Sequence, residues 1–176
     1  MKGVRRSSSG QAPTFPRLFK SMAKINYIKG DLFNAPPQYW LVHCISADFA
    51  MGAGIAKRFT EEGAKLVLKA VHSDYKWRGV GDCLPIVGCC GHRGVFNLVT
   101  KERYYYKPTY NTLTQALQNI IIALDDPFVL PVVGEGKIKL AMPKIGCGLD
   151  RLEWSKVEKI IEDTFDDRFE IYVYEL

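Results

Sequence analysis

The stretch Met142-Pro143-Lys144-Ile145-Gly146-Cys147-Gly148-Leu149-Asp150-Arg151 places two glycines and an acid between an apolar segment and a helical pattern. Glycine at 146 and 148 allows backbone conformations that are closed to other residues and lets a ligand approach the main chain. The N–H groups of such a turn, just before a helix, favour phosphate or pyrophosphate. Asp150 would then lie beside the sugar of a nucleotide. The stretch predicts a nucleotide-binding turn, which needs a matching loop and a reactive group elsewhere in the chain.

Asp150 also has a purely structural interpretation. The sequence Asp150-Arg151-Leu152-Glu153 matches a capping box, in which the aspartate caps the helix that begins near Trp154 and Glu153 reaches back. The two roles are compatible, because a capping carboxylate can also face a ligand. The sequence leaves both interpretations open.

Another glycine loop, Met51-Gly52-Ala53-Gly54-Ile55-Ala56, follows the apolar residues 40–45 and leads into a helix, and it is the first glycine loop in chain order. Open α/β sheets bind nucleotides at this position. Lys57 occupies the place of the third glycine of a dinucleotide fingerprint, and the P-loop pattern fails as well. The segment is therefore either a phosphate-contacting loop of another type or an ordinary helix start.

Lys101 is the candidate reactive group, because it follows the apolar residues 94–100. A lysine at the carboxyl end of a central strand lies where ligands bind in α/β sheets. When partly desolvated, its amine is a nucleophile toward a sugar aldehyde. The alternative, judged by spacing alone, is a solvated surface lysine.

Three other groups are interpreted structurally. His43 lies within an apolar strand and is predicted to be a core histidine rather than a catalyst. The Cys89-Cys90 pair and His92 lack a second ligand pair at zinc spacing, so no metal site is predicted. Tyr104-Tyr105-Tyr106 and its flanking bases could stack on nucleobases and meet phosphates, but an aromatic strand edge is the preferred interpretation.

Composition favours one soluble globular domain: 176 residues, of which 47% are hydrophobic and 24% charged. No apolar run approaches the roughly 20 residues of a membrane-spanning helix, so no membrane association is predicted. The five cysteines are odd in number and have no framework-like spacing, which indicates a reducing compartment.

The net charge of +5 is concentrated at the start of the chain. Without its six bases, the remainder has 18 basic and 19 acidic residues, which disfavours direct nucleic-acid binding. Residues 1–24 are predicted to be a flexible basic extension and residues 25–176 the folded domain. An unstructured basic extension or a nuclear-localisation segment is the preferred interpretation, and a resemblance to mitochondrial transit peptides leaves a mitochondrial address open. The six bases are Lys2, Arg5, Arg6, Arg17, Lys20 and Lys24.

Strand and helix patterns alternate along the chain, which predicts an α/β domain with a largely parallel sheet between helices. Thr109 is the predicted N-cap of a helix whose apolar residues recur at helical spacing. Residues 125–139 are predicted to form a long loop that contains at most one short strand. The predicted strands are 25–28, 40–45, 82–87, 94–100, 138–142 and 169–174, and the predicted helices begin near residues 54, 64, 109 and 154.

Taken in order from Ile25 to Leu176, these motifs closely resemble the macrodomain superfamily, and above all its terminal ADP-ribose protein glycohydrolase branch. The matching segments are Gly30-Asp31-Leu32-Phe33, His43-Cys44-Ile45-Ser46, the 51–56 loop, Thr100-Lys101, Lys107-Pro108-Thr109-Tyr110 and residues 142–152. The resemblance implies a three-layer α/β/α macrodomain with a central mixed, largely parallel sheet. It also implies that the protein binds ADP-ribose and removes it from acidic side chains, with activity on O-acetyl-ADP-ribose and without a cofactor.

The same resemblance implies roles for individual residues. Lys101 matches the nucleophile of the family, and Asp150 matches its acid/base group. The residues that match substrate contacts are Asp31 and Leu32 on the adenine side, Ser46 in the cleft, Met51, Gly52, Gly54 and Ile55 in the first glycine loop, Pro143, Lys144, Ile145, Gly146, Cys147, Gly148 and Leu149 in the second, and Tyr174 and Leu176 beside the adenine.

Two departures from the family pattern stand out. Lys144 replaces an expected arginine, which weakens any bidentate contact by that side chain. Residues 125–139 are longer than the family pattern. The expected partners are ADP-ribose and ADP-ribosylated proteins, with poly(ADP-ribose) a further candidate, and the protein is expected to be a nuclear or cytoplasmic monomer. A non-catalytic reader of ADP-ribose marks is the main alternative to a hydrolase.

Overall fold

The fold is built on one mixed β-sheet, seen in a computed structural model that describes residues 21–72 and 79–176. In these residues the strands are β1 (Lys24–Lys29), β2 (Trp40–Ser46), β3 (Cys83–Val87), β4 (Gly94–Lys101), β5 (Ile138–Met142) and β6 (Phe169–Glu175). The helices are α1 (Gly54–Glu61), α2 (Ala64–His72), α3 (Tyr110–Ala123) and α4 (Trp154–Thr164), with 3₁₀ turns at Leu32–Asn34 and Leu130–Val132.

The strands are arranged in the order β1-β6-β5-β2-β4-β3, and every pairing is parallel except that of β3 with β4. The central strands β2 and β4 are buried almost throughout, as expected for strands covered on both faces. The predicted mixed, largely parallel sheet is therefore confirmed. Because β2 lies between β4 and β5, the carboxyl ends of these three strands meet at one edge of the sheet.

Two hydrophobic clusters lie on opposite faces of the sheet. Successive residues of β2 point to opposite sides, so Leu41 belongs to one cluster and Val42 to the other. Helices α3 and α4 cover the face of Val42, where Leu117 and Ile161 are fully buried. Helices α1 and α2 cover the other face, where Phe59 and Leu68 are fully buried. These layers confirm the predicted α/β/α architecture.

Several boundaries were predictable from local sequence. The helix at residues 64–72 and the strand at residues 138–142 begin and end where the pattern predicts. Thr109 is the N-cap of α3: its hydroxyl accepts a hydrogen bond from the Thr112 N–H at 3.0 Å. The Thr112 hydroxyl also donates to the Thr100 carbonyl at 2.8 Å, which attaches the start of α3 to the end of β4.

The folded domain begins slightly before the predicted boundary. Lys24 is the first residue of β1, and Ala23 is only 6% exposed. The Ala23 N–H donates to the Phe165 carbonyl at 3.2 Å, and Met22 forms a bridge with Asp166. These contacts place residues 22–24 in the domain rather than in the predicted extension. Residues 1–20 of that extension lie outside the described residues.

Two other expectations need correction or refinement. The strand edge predicted at Tyr104-Tyr105-Tyr106 is wrong: these residues form an exposed turn, because β4 ends at Lys101 where its partner β2 also ends. In residues 125–139 no strand precedes Ile138. Gly134 and Gly136 both have positive φ, which is not a strand conformation, just before Ile138.

Within the described residues, no helix combines the length and apolar character that crossing a membrane requires.

Candidate active site

A cavity of about 730 Å³ lies at the carboxyl ends of β2, β4 and β5. Three segments line it: the residues that follow β2, the turn that follows β4, and the loop that follows β5. Ligands of open α/β sheets bind at this type of position, where neighbouring strands send their connections in different directions. The fold therefore brings together both glycine loops and the predicted reactive lysine.

Lys101 and Asp150 form an ion pair on the cavity wall. The Lys101 Nζ atom lies 2.6 Å from Asp150 Oδ1, and each side chain is 15% exposed. The loop that carries Asp150 is folded tightly, since the Leu152 N–H donates to the Gly146 carbonyl at 2.8 Å. The two residues are far apart in sequence, and the structure joins their functional groups within one ligand-sized cavity.

Asp150 does not cap α4. The N-cap position is Glu153, whose side chain makes no capping hydrogen bond. The Glu153 N–H instead donates to the Tyr110 hydroxyl at 3.0 Å. Arg151 adopts a left-handed conformation with φ 59°, and the loop turns there before the helix begins. The capping-box interpretation is therefore wrong, and the carboxylate of Asp150 is directed to Lys101.

A β-bulge determines which residue faces Ser46 across the sheet. Ile45 pairs with Val99, but Ser46 pairs with Lys101, so Thr100 is an extra residue in β4. Bulges of this kind redirect the side chains that follow them and are frequent beside active sites. The Lys101 carbonyl accepts a hydrogen bond from the Ala47 N–H at 2.9 Å. Lys101 is thus attached to β2 at the point where the sheet opens into the cavity.

The second glycine loop uses its two glycines differently. Gly146 has φ 73°, and a Cβ atom there would lie 2.8 Å from Leu152 Cδ1. Gly148 is not left-handed, and an added Cβ atom would meet nothing within 4 Å. The predicted conformational requirement for glycine therefore holds at 146 and is wrong at 148. From this loop the side chain of Leu149 reaches toward Gly54, where an added Cβ atom would lie 3.5 Å from Leu149 Cδ1.

Two strained residues lie at the start of the first glycine loop and just before it. Phe49 and Met51 adopt left-handed conformations with φ 55° and 48°, which costs on the order of 1–3 kcal/mol each. Both side chains are buried and hold the loop against the core. Ala53, the N-cap of α1, makes no side-chain capping bond. The first N–H groups of α1 therefore remain available for an anion in the cavity.

Comparisons with known proteins agree with this geometry. No protein-family model matches the chain. The ADP-ribose glycohydrolase OARD1 of Bos taurus is 39% identical over 146 residues, which cover 82% of this chain and 86% of that protein. The macrodomain of Thermus aquaticus DarG matches with a TM-score of 0.69 and 21% identity, covering 88% of this chain and 99% of the other. The chain belongs to the macrodomain superfamily.

A further solved macrodomain-containing structure is that of Thermosipho africanus DarTG in complex with ADP-ribose. It matches this macrodomain with a TM-score of 0.62 and 17% identity, over 85% of this chain and 41% of the other. At such identity the likeness concerns the fold alone. The family resemblance that the sequence motifs indicated is confirmed by the relative of higher identity.

Most of the predicted site residues of this macrodomain line the cavity. They are Ser46, Met51, Gly52, Gly54, Ile55, Lys101, Pro143, Lys144, Ile145, Gly146, Gly148, Leu149 and Asp150. The ammonium group of Lys144 also pairs with Glu175 and lies over the Trp154 ring. Lys144, where the family pattern predicted an arginine, thus connects the second glycine loop to the end of β6.

The remaining predicted site residues, Asp31, Leu32, Cys147, Tyr174 and Leu176, do not line this cavity. Asp31 accepts hydrogen bonds from the Phe33 N–H at 2.9 Å and from Arg58 at 3.1 Å, and Leu32 is buried. The Gly30 N–H donates to the Glu175 carbonyl at 2.7 Å, so the adenine-side candidates lie together where β1 and β6 end. Their contacts with a nucleotide stay a prediction.

Burial and charge make two other titratable groups near the cavity, Cys44 and His43, poor catalysts. Burial, with the neighbouring Asp150 carboxylate adding to it, raises the pKa of the Cys44 thiol to about 12, so this cavity residue stays protonated. Burial lowers the pKa of His43 to about 4. The His43 ring stacks on Phe59 and bonds Asn97 Oδ1 at 2.6 Å, which confirms the prediction of a core histidine.

The Cys89-Cys90 pair has no third partner for a metal. Both ring nitrogens of His92 are occupied by backbone carbonyls, that of Cys90 at 2.7 Å and that of Ala35 at 2.8 Å. Among residues 21–72 and 79–176, no cluster of three or more histidine, cysteine or acidic side chains has the geometry of a metal site. Lys101 and Asp150, which face each other across this cavity, remain the predicted reactive pair.

Three polar residues in or beside the cavity were not among the predicted site residues. Tyr104 and Lys107 line it, and the Lys107 ammonium donates to the Leu149 carbonyl at 2.8 Å, which joins the turn after β4 to the second glycine loop. Asp48 accepts hydrogen bonds from the Ser46 hydroxyl at the end of β2 and from the Tyr104 N–H of that turn. The available signal for Asp48 was its place two residues after Ser46, where short acids accept local backbone N–H groups.

Proposed function

We propose that this macrodomain is an ADP-ribose glycohydrolase that releases ADP-ribose from glutamate and aspartate side chains of proteins. The observation that carries the proposal is the contact of 2.6 Å between Lys101 Nζ and Asp150 inside a cavity lined by two glycine loops. The name of the Bos taurus relative, an ADP-ribose glycohydrolase, supports the same substrate and reaction. The solved complex of Thermosipho africanus DarTG with ADP-ribose supports ADP-ribose as the ligand.

The diphosphate of ADP-ribose would bind between the two glycine loops. The uncapped N-terminus of α1 offers N–H groups and the positive end of a helix dipole to this anion. Gly148 leaves room for the diphosphate on the other side. With the adenine toward Asp31 and Tyr174, the distal ribose lies over Lys101. Binding energy from the remote adenine and diphosphate then orients the reacting sugar.

Catalysis would proceed through a covalent bond to Lys101. Asp150 accepts a proton from the Lys101 ammonium, and the freed amine attacks the anomeric carbon of the distal ribose. The bond from that carbon to the acceptor oxygen breaks, and the departing glutamate or aspartate carboxylate takes the proton that Asp150 holds, so Asp150 is ionised again. Asp150 then takes a proton from water, which attacks the same carbon as its bond to the Lys101 nitrogen breaks, and Asp150 returns that proton to the released amine. The products are ADP-ribose and the original side chain.

O-acetyl-ADP-ribose is proposed as a second substrate of the same site. It also presents a carboxylate ester on the distal ribose, so it can occupy the same loops with its ester near Lys101. ADP-ribosylated proteins are the proposed partners, and ADP-ribose polymers are a further candidate. The cavity opens to solvent at Tyr104, which leaves space beyond the reacting sugar for an attached protein chain.

The test is release of free ADP-ribose from a protein that carries ADP-ribose on glutamate. We expect release by the wild-type protein and a loss of at least about 1,000-fold in Lys101→Ala. Lys101→Arg is the matched control, because it retains a positive charge beside Asp150 but supplies no comparable nucleophile. Full hydrolysis by a folded Lys101→Ala protein would rule out the covalent step. Tight ADP-ribose binding without any release by the wild type would favour a reader.

A further inference from the structure

The carboxylate of Asp48 connects two of the segments that line the cavity. Its Oδ1 atom accepts hydrogen bonds from the Ser46 hydroxyl at 2.5 Å and the Ala50 N–H at 3.1 Å. Its Oδ2 atom accepts a hydrogen bond from the Tyr104 N–H at 3.0 Å. Burial alone would raise the pKa of Asp48, but these hydrogen bonds outweigh it and lower the pKa below its ordinary value. Asp48 is therefore an anion at neutral pH.

The first consequence concerns the hydroxyl of Ser46. Its one proton is donated to Asp48, so toward the cavity the oxygen can only accept a hydrogen bond. Ser46 lines the cavity and is the residue that pairs with Lys101 across the bulge. The Ser46 oxygen can only accept here, and the negative Asp48 carboxylate lies next to it. This combination is unfavourable for an anionic phosphate group and favourable for a sugar hydroxyl, which can donate a hydrogen bond. Beside Lys101, that hydroxyl belongs to the distal ribose of the proposed substrate.

The second consequence concerns the turn that follows Lys101. Its three tyrosines are 64%, 64% and 47% exposed and contact one another edge to face, so burial in the core does not hold the turn in place. Tyr104 lies three residues after Lys101, and the bond from its N–H to Asp48 attaches the turn to the segment between β2 and the first glycine loop. The Asp48 carboxylate therefore binds both Ser46, which lies opposite Lys101, and the backbone at Tyr104, in the turn that follows Lys101.

We infer that Asp48 is a positioning residue that makes Ser46 an acceptor for a hydroxyl of the distal ribose and holds Lys101 in line with the anomeric carbon. The inference rests on the proposed function for its substrate, but it adds a determinant of sugar recognition. It predicts that the macrodomain distinguishes ADP-ribose from ADP partly through Asp48. ADP has the same adenine and diphosphate but lacks the distal ribose.

The experiment measures the binding of ADP-ribose and of ADP by titration calorimetry, together with turnover. In Asp48→Asn the amide nitrogen cannot accept one of the hydrogen bonds. We expect ADP-ribose affinity to fall about 10-fold, ADP affinity to stay within about 2-fold, and kcat to fall about 10- to 100-fold with a smaller change in KM. Glu102→Gln removes an exposed carboxylate from the same turn and should behave like the wild type.

Wild-type affinity and turnover in Asp48→Asn would overturn the inference. An equal loss of ADP and ADP-ribose binding would also overturn it, because that result indicates general damage to the loops. If Asp48→Asn does not fold, Ser46→Ala gives the decisive result: it must lose affinity for ADP-ribose but not for ADP. If the wild type binds ADP-ribose without releasing it from protein, the proposed function fails, while these binding measurements still decide the role of Asp48.

Discussion

At the scale of single residues, the site depends on one amine and one carboxylate that are partly withdrawn from water. Lys101 and Asp150 are each 15% exposed, so their contact of 2.6 Å is screened less than a surface ion pair. Cys44, close to both, is kept protonated by burial and by the charge of Asp150. Cys44 is therefore a poor competitor of Lys101, which is the proposed nucleophile.

Asp150→Ala should abolish turnover and leave a covalent adduct on Lys101. Without the carboxylate no group activates water, so the second half of the reaction should slow more than the first. We expect intact-protein mass spectrometry to detect the added mass of ADP-ribose after incubation with substrate. The adduct must be absent from the Lys101→Ala/Asp150→Ala protein. Adduct formation by this double variant would place the attachment on another residue.

The same pair should also appear in the free energy of unfolding. Asp150→Ala leaves the largely buried Lys101 ammonium without its partner, which we expect to cost about 1–3 kcal/mol. Adding Lys101→Ala should recover part of that loss, giving a coupling energy on the order of 1–2 kcal/mol in urea denaturation. Strictly additive effects of the two substitutions would contradict the ion pair seen in the structure.

At the scale of elements, three segments form the site, and a different set of contacts holds each of them in place. The entry to the first glycine loop, residues 49–51, is held by the buried side chains of Phe49 and Met51. Lys65 and Thr60 donate hydrogen bonds to the carbonyls of residues 50 and 51. The second loop is held by its own backbone hydrogen bonds. The end of β4 is held by the bulge and by Thr112. This preorganisation lowers the entropy lost when the ligand is positioned.

Gly146 and Gly148 form a matched pair for testing the second loop. Gly146→Ala should lower the free energy of unfolding by about 1–3 kcal/mol, because alanine disfavours the φ of 73° and its Cβ would crowd Leu152. Gly148→Ala should change stability by less than about 0.5 kcal/mol but weaken ADP-ribose binding about 10-fold. Thermal denaturation and calorimetric titration measure the two effects. Unchanged affinity in Gly148→Ala would remove this loop from the diphosphate site.

At the scale of the whole molecule, His43 couples stability to pH. It is fully buried between the sheet and α1, where burial lowers its pKa from 6.5 to about 4. His43 is therefore protonated below about pH 6.5 in the unfolded chain but only below about pH 4 in the folded protein. The contribution of His43 to the free energy of unfolding is complete above about pH 6.5 and declines as the pH falls from about 6.5 to about 4.

We expect His43 to account for a loss of about 2 kcal/mol of unfolding free energy between about pH 7.5 and about pH 5. His43→Gln retains a polar group beside Asn97 but does not titrate, so its stability should depend less on pH over this range. Urea denaturation of both proteins at the two pH values measures the difference. Equal pH dependence in the two proteins would show that another group is responsible.

Much of the architecture followed from local patterns in the sequence. Helix α2 and strand β5 occupy the predicted residues, and Thr109 caps α3 as predicted, because hydrophobic periodicity and capping act within a few residues. The turn at Tyr104 to Tyr106 differs from the predicted strand edge, a prediction that rested on the preference of aromatic residues for strands. The neighbouring strand β2 ends at Ser46, and no local signal in residues 104–106 reports where that partner ends.

The sequence by itself determined the alternation of strands and helices, the place of Lys101 at a strand end, the two glycine loops, and a motif order that indicates the macrodomain family. Only the tertiary structure decided that Asp150 pairs with Lys101 instead of capping α4, that a bulge sets Lys101 opposite Ser46, and that Asp48 joins two loops. The reason is physical: these contacts depend on strand register and loop path between segments far apart in the chain, which local conformational preferences do not encode.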